Sequence, residues 1–158
     1  MKTLIIYASK YGCTADCASN LKNILPGDVS LFDINDTTAP PALDGFDTIA
    51  IGGSVYIGKI AKKLRAFCDR NLTALLEKRL GIFLCCALEE DADKFFAANF
   101  ASELLKHSKT TEVFGSDARL EKMSFFDKSV IKAVTKGDFS NFKISHERIE
   151  TFAQELTK

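Results

Sequence analysis

Residues 7–18 read YASKYGCTADCA. This stretch leaves the short apolar run Thr3 to Ala8 through a polar loop, Ser9-Lys10-Tyr11-Gly12-Cys13-Thr14. It then enters a segment in which Cys17, Leu21 and Ile24 recur at i, i+4 and i+7. A continuous apolar run closed by a turn is the pattern of a strand buried on both faces, and the second spacing is that of a helix packed on one face. Pro26-Gly27 stops the helix. At such a junction, successive backbone N–H groups, a close-curling glycine, the Ser9 and Thr14 hydroxyls and Lys10 suit an anion, which the helix N-terminus attracts. The same residues also make an ordinary tight turn, with Thr14 as the N-cap and Gly12 easing the bend. The loop alone leaves both readings open.

Val29 to Asp33, Asp47 to Gly52, Gly81 to Cys86 and, more weakly, Thr111 to Ser116 read as further short strands. Residues 35–47, with two prolines and several Asx and Thr residues, read as a loop. Ile60, Leu64, Phe67 and Cys68 mark one helix face, and Phe96, Phe100 and Leu104 mark a stripe on a helix expected over 91–106. Phe126, Val130 and Val134 place a helix near 125–135, and Ile149, Phe152, Ala153 and Leu156 define a closing helix. Strand and helix alternate throughout, which predicts an α/β fold with a parallel sheet covered on both faces. Five strands in this length fit a three-layer, doubly wound sheet of order 2-1-3-4-5, formed by residues 1–158 as one domain. Ligands of such sheets sit beyond the carboxyl ends of the strands at the switch point. That brings together three loops: 9–14, 53–58 and 86–90.

Composition excludes several classes. The chain has 158 residues, of which 46% are apolar and 27% charged, as in ordinary water-soluble domains. Lys plus Arg and Asp plus Glu both number 21, so no net field recruits nucleic acid. The apolar run in MKTLIIYAS is too short for a signal sequence, and no run approaches the roughly 20 residues of a membrane span, so a cytoplasmic protein is expected. The cysteines at 13, 17, 68, 85 and 86 form no CxxC or finger-like spacing, so no metal site is expected. Cys13 and Cys17, four apart, share a helix face. All five read as small buried hydrophobes in a reducing compartment. His107 and His146 fall on helix surfaces or ends, and no side-chain base, nucleophile or other catalytic constellation is present.

The first loop resembles the phosphate loop [S/T]-x-T-G-x-T of flavodoxin-like FMN-binding proteins. Ser9, Gly12 and Thr14 match, whereas Tyr11 stands where that pattern has a threonine. The GxxxxGK[ST] and GxGxxG patterns are absent, which disfavours a nucleotide triphosphate or dinucleotide. The second loop, GGSVYIGKI, is similar to the segment that wraps the flavin ring in this family: Ser54, Val55, Tyr56, Ile57 and Gly58, with Tyr56 the aromatic able to stack. The third, Cys86-Ala87-Leu88-Glu89, stands where many flavodoxins carry a tyrosine against the outer flavin face, and has no aromatic. The Glu89-Glu90 pair reads as a solvated helix start. The resemblance therefore implies FMN held by Ser9, Lys10, Tyr11, Gly12, Cys13 and Thr14 and by the second and third loops.

The block Leu120 to Lys132, within EVFGSDARLEKMSFFDKSVIKAVTKGDFSNF, is similar to the subfamily of menaquinone-dependent protoporphyrinogen dehydrogenases. That likeness implies a flavin-centred oxidoreductase taking electrons from a small planar reductant, such as a reduced tetrapyrrole, to a quinone. The alternative is a soluble flavodoxin carrying electrons between redox partner proteins, although such carriers are usually acidic and this chain is neutral. A third reading is an interaction or sensor module that has lost FMN. Lys128, Lys132 and Lys136 share one helical face near Phe125-Phe126 and Lys122. This basic amphipathic stretch fits peripheral contact with an anionic membrane, or else a core-facing helix with a solvated outer face.

Overall fold

The structure is a computed structural model that describes residues 1–35, 39, 41–140 and 142–158. Five parallel strands, β1 (Lys2–Ala8), β2 (Asp28–Asp33), β3 (Thr48–Ser54), β4 (Arg79–Cys85) and β5 (Thr110–Gly115), form one sheet of order β2-β1-β3-β4-β5. This is the doubly wound order expected from the sequence. The loop expected over 35–47 lies partly outside the described residues, at 36–38 and 40.

The two-residue period of the strands decides which side chains go where. Leu4 and Ile6, Ile49 and Ile51, and Ile82 and Leu84 point to one face. There they pack with Leu64, Phe67 and Cys68 of α2 (Lys62–Arg70), Leu75 of α3 (Leu72–Leu76), Phe96 of α4 (Ala92–Asn99) and Leu104 of α5 (Ser102–His107). Their neighbours Ile5, Ala50, Phe83 and Cys85 point to the other face, against Cys17, Ala18 and Leu21 of α1 (Cys13–Ile24) and Ile149, Phe152, Ala153 and Leu156 of α7 (His146–Thr157). On that second face Phe83 stacks on Phe114 with centroids 4.5 Å apart, and Phe152 stands edge-on to both. Gly52 makes room for this group: a Cβ there would lie 2.1 Å from Phe83 Cζ.

Three expectations are corrected. Ile24 is exposed, and the inward stripe of α1 is Cys17, Ala18 and Leu21, followed by Leu25 just past its end. The helix expected over 91–106 is two helices, broken where Phe100 and Ala101 turn extended. The break has a cause: the buried Asn99 amide donates to Gly58 O (3.0 Å) and Phe95 O (2.8 Å), and its Oδ1 accepts from Ile60 N–H (3.1 Å). The end of α4 is thereby stitched to the loop after β3, while Phe100 and Leu104 stay buried. Finally, α6 (Phe125–Thr135) forms where expected but does not bury the Phe126–Val130–Val134 stripe, since Phe126 and Val134 are exposed. Its one buried residue is Asp127.

Candidate functional site

The loops after β1, β3 and β4 meet at the carboxyl end of the sheet, and the segment from 116 to 135 lies over them. In the first loop Gly12 adopts a left-handed backbone (φ 97°) and is the N-cap of α1, while Ser9 Oγ accepts from Gly12 N–H at 3.1 Å. Thr14 is therefore not the N-cap; it is the second residue of the helix, fully buried, and its hydroxyl has no hydrogen-bond partner.

The second loop is a tight turn. Tyr56 and Lys59 exchange both backbone hydrogen bonds (2.9 and 3.1 Å) across Ile57 and Gly58, both at positive φ (49° and 73°). This is the two-residue geometry that favours glycine or asparagine at both positions. A β-branched residue there is strained by about 1–3 kcal/mol, a cost borne by the surrounding ties of the loop. One tie is Asn99; another is Val55 N–H donating to Cys85 O at 3.0 Å. In the third loop Cys86 is buried, Ala87, Leu88 and Glu89 are half-buried, and Glu89 pairs with Arg148 of α7 at 2.8 Å. Glu89-Glu90 opens a short 3-10 turn before α4, so the pair does begin a helical segment, but Glu89 is pinned by Arg148.

Asp127 is the residue that joins these parts. Its carboxylate accepts from the hydroxyls of Tyr11 and Tyr56 and pairs with Lys10 Nζ at 2.8 Å. Lys10 Nζ also sits 4.0 Å from the Tyr56 ring centroid. The carboxyl of Asp127 is held well below the usual carboxylate range, first by Lys10 and then by the two tyrosines. Reciprocally, the Tyr56 phenol is pushed up to about 12 by its hydrogen bond to Asp127. Arg119 covers the first loop from the same segment. Its Nη1 donates to Tyr11 O at 3.4 Å, and its other nitrogens are held by Asp117 and Asp16.

Three cavities meet at Tyr56. One of about 730 Å³ runs from Ser9 and Lys10 past Asn35 and Ser54 to Ile57 and Ile60. A narrow one of about 70 Å³ lies among Ser9, Tyr11, Cys13, Thr14, Tyr56, Met123 and Asp127. A third of about 250 Å³ lies between the second and third loops, closed by Phe95 of α4 and by Ile131 and Val134 of α6. All of the expected site residues except Gly12 and Glu89 line these spaces. Gly12 shapes the loop, Glu89 lines a separate surface pocket with Arg148, and Cys86 lines the third cavity.

A family profile described as a flavodoxin domain matches residues 4–143. The chain belongs to this family. No curated protein matches the chain. Among solved structures, flavodoxin 2 from Bacillus cereus superposes with a TM-score of 0.61 at 17% identity, covering 99% of this chain and 98% of that one. A flavodoxin from the domain Archaea gives 0.58 at 16%, covering 100% of both chains. The Fusobacterium nucleatum flavodoxin bound to flavin mononucleotide gives 0.52 at 14%, covering 99% and 96%. At these identities the likeness is one of fold.

For a flavodoxin domain, the departure at Tyr11 has a structural explanation: its hydroxyl is used by Asp127. Four residues of the site escaped the sequence reading. Asp127, Arg119, Asn99 and Phe95 all come from outside the three loops, and Phe95 of α4 lines the cavity beside the third loop. The remaining conspicuous group is sulfur. Cys13 is held below the ordinary thiol value because the Cys17 and Cys85 thiols hydrogen-bond to it, and Cys17 and Cys85 are pushed up by the same contacts and by burial. Among the described residues no helix is long and apolar enough to cross a membrane.

Proposed function

We propose that this flavodoxin domain binds one FMN and carries electrons between protein partners. One observation carries the reading: a fully buried Thr14 hydroxyl without a partner, in the first turn of α1 and facing the cavity lined by the 9–14 loop. Buried polar groups are almost always paired, so an orphan at a helix N-terminus beside a glycine-shaped loop fits a phosphate oxygen. Ser9, Gly12 and Thr14 would hold that phosphate, with Lys10 and Arg119 supplying positive charge. Ser54 to Gly58 and Cys86 to Leu88 would hold the ring, with Tyr56 on one face and Phe95 near the other. When bound, FMN supplies reversible electron transfer. The chain's own part is to orient it, to exclude water, and to present an edge.

Ile57 and Val134 line the third cavity, beside Tyr56, and are exposed, and α6 also carries exposed Phe125 and Phe126, with Lys128, Lys132 and Lys136 on the same helix or at its end. It suits a docking partner with apolar and acidic groups, and the exposure of both phenylalanines supports the peripheral membrane contact expected from the sequence over a core-facing helix. A second reading keeps the oxidoreductase expectation. The cavity of about 730 Å³ beside Tyr56 is in the size range of small-molecule sites and has room for a planar donor. The test is to load the protein with FMN and compare its two routes of reduction. Rapid exchange with a ferredoxin-type reductase and no oxidation of reduced tetrapyrroles supports the carrier. FMN-dependent oxidation of the tetrapyrrole with a quinone acceptor supports the second reading. Failure to retain FMN overturns both.

A further inference from the structure

We propose that Cys13, Cys17 and Cys85 form a three-sulfur site for a soft cation, Cu(I), beneath the 9–14 loop. Their sulfur atoms all lie within 4.8 Å of one another, the one such group of potential metal ligands among the described residues. Two come from the first turns of α1, four residues apart on one face; the third is the last residue of β4, brought under the helix by the sheet. No spacing along the chain announces it, because Cys85 is 68 residues beyond Cys17 and joins them only through the fold.

The geometry and surroundings select the class of ion. With metal–sulfur bonds of about 2.3 Å, three sulfurs in a plane around one ion stand about 4.0 Å apart, so each needs to move inward by about 0.5 Å at most. Cys17 and Cys85 are 1% and 3% exposed and packed among Ile5, Leu21, Phe83 and Phe114. The group contains no carboxylate or imidazole. Hard hydrated cations find no oxygen ligand there, and Zn²⁺ lacks its fourth donor, whereas all-sulfur sites select Cu(I). Access exists, since Cys13 and Cys85 line the narrow cavity together with the soft thioether residue Met123. The Arg119 guanidinium acts favourably on anionic Cys13 and so opposes the negative charge of a copper–thiolate group. On binding, three Cu–S bonds form, thiols still protonated release their protons to solvent, and neither copper nor sulfur changes oxidation state.

The test is anaerobic competition of the reduced 158-residue chain for Cu(I) held by bicinchoninate, followed by X-ray absorption of the protein-bound copper. One Cu(I) per chain and three sulfur scatterers are expected. Cys17→Ala and Cys85→Ala should each lose more affinity than the about 10- to 100-fold that loss of an outer-shell partner costs, and Cys68→Ala should keep the wild-type value. Withdrawal of no copper, undiminished binding by Cys17→Ala, or nitrogen and oxygen scatterers in place of sulfur overturns the proposal. So does a reduced protein that ignores Cu(I) but forms a Cys13–Cys17 or Cys13–Cys85 disulfide in air. If the alanine variants do not fold, the wild-type absorption spectrum alone decides.

Discussion

Replacing Thr14 by Val should move stability and FMN affinity in opposite directions. The two side chains have the same shape and the same stiffness at χ1, so the helix backbone is undisturbed. The Thr14 hydroxyl is fully buried and unpartnered, and a buried unsatisfied polar group costs about 1–3 kcal/mol. Removing it should stabilise the flavin-free protein by about 1 kcal/mol or more, which for a chain of this size raises Tm by about 2–4 °C per kcal/mol. A hydrogen bond to a charged group is worth about 1.5–3 kcal/mol, so FMN affinity should fall by about 10- to 100-fold. Thr3 is the control: its hydroxyl is equally buried and unpartnered, but it sits at the amino end of β1 and lines none of the cavities described above. Thr3→Val should stabilise and leave FMN affinity unchanged. Calorimetry of the flavin-free protein and fluorescence titration with FMN measure both effects. A Thr14→Val protein with weaker stability and wild-type FMN affinity would refute the reasoning.

Tyr56→Ala should loosen FMN by about 1–1.5 kcal/mol, the size of an aromatic stacking contribution, measured in the same titration; an unchanged Kd would place the ring elsewhere. Asp127 predicts a pH dependence: its folded pKa is depressed, so its contribution to stability is complete above the ordinary carboxylate value near 4 and is lost as pH falls through the folded value. Asp127→Asn should therefore flatten the acid limb of the Tm-against-pH curve, and an unaltered limb would show that the clasp with Lys10, Tyr11 and Tyr56 contributes nothing. Gly52→Ala should cost about 1–3 kcal/mol in chemical denaturation, since its Cβ would meet a Phe83 ring that is stacked on Phe114 and cannot withdraw.

The strands and the three loops were legible because their signals are local: apolar runs of strand length, glycines at junctions, and the Ser9-Gly12-Thr14 spacing. What the sequence concealed is tertiary. Ser124 and Asp127 stand three apart at a helix start, and the structure uses them so, with Ser124 Oγ accepting from Asp127 N–H at 3.2 Å. Nothing local says that the Asp127 side chain turns inward to two tyrosines and a lysine. The Phe126–Val130–Val134 spacing placed a helix but left open what covers its apolar face, because periodicity reports amphipathicity without naming the covering surface. The 91–106 helix read as continuous because Asn99 is compatible with a helix until its amide is taken by Gly58, and the sulfur group is invisible because its third member lies on another element.

The measurement that bears most directly on the account is a fluorescence titration of the purified chain with FMN and, in parallel, with riboflavin. Binding of one FMN per chain with quenched flavin emission, and of riboflavin far more weakly, is predicted, because the 9–14 loop and the Thr14 hydroxyl act on the phosphate alone. Equal affinity for the two would remove the phosphate from that loop, and no change in emission with either would contradict the flavin site altogether.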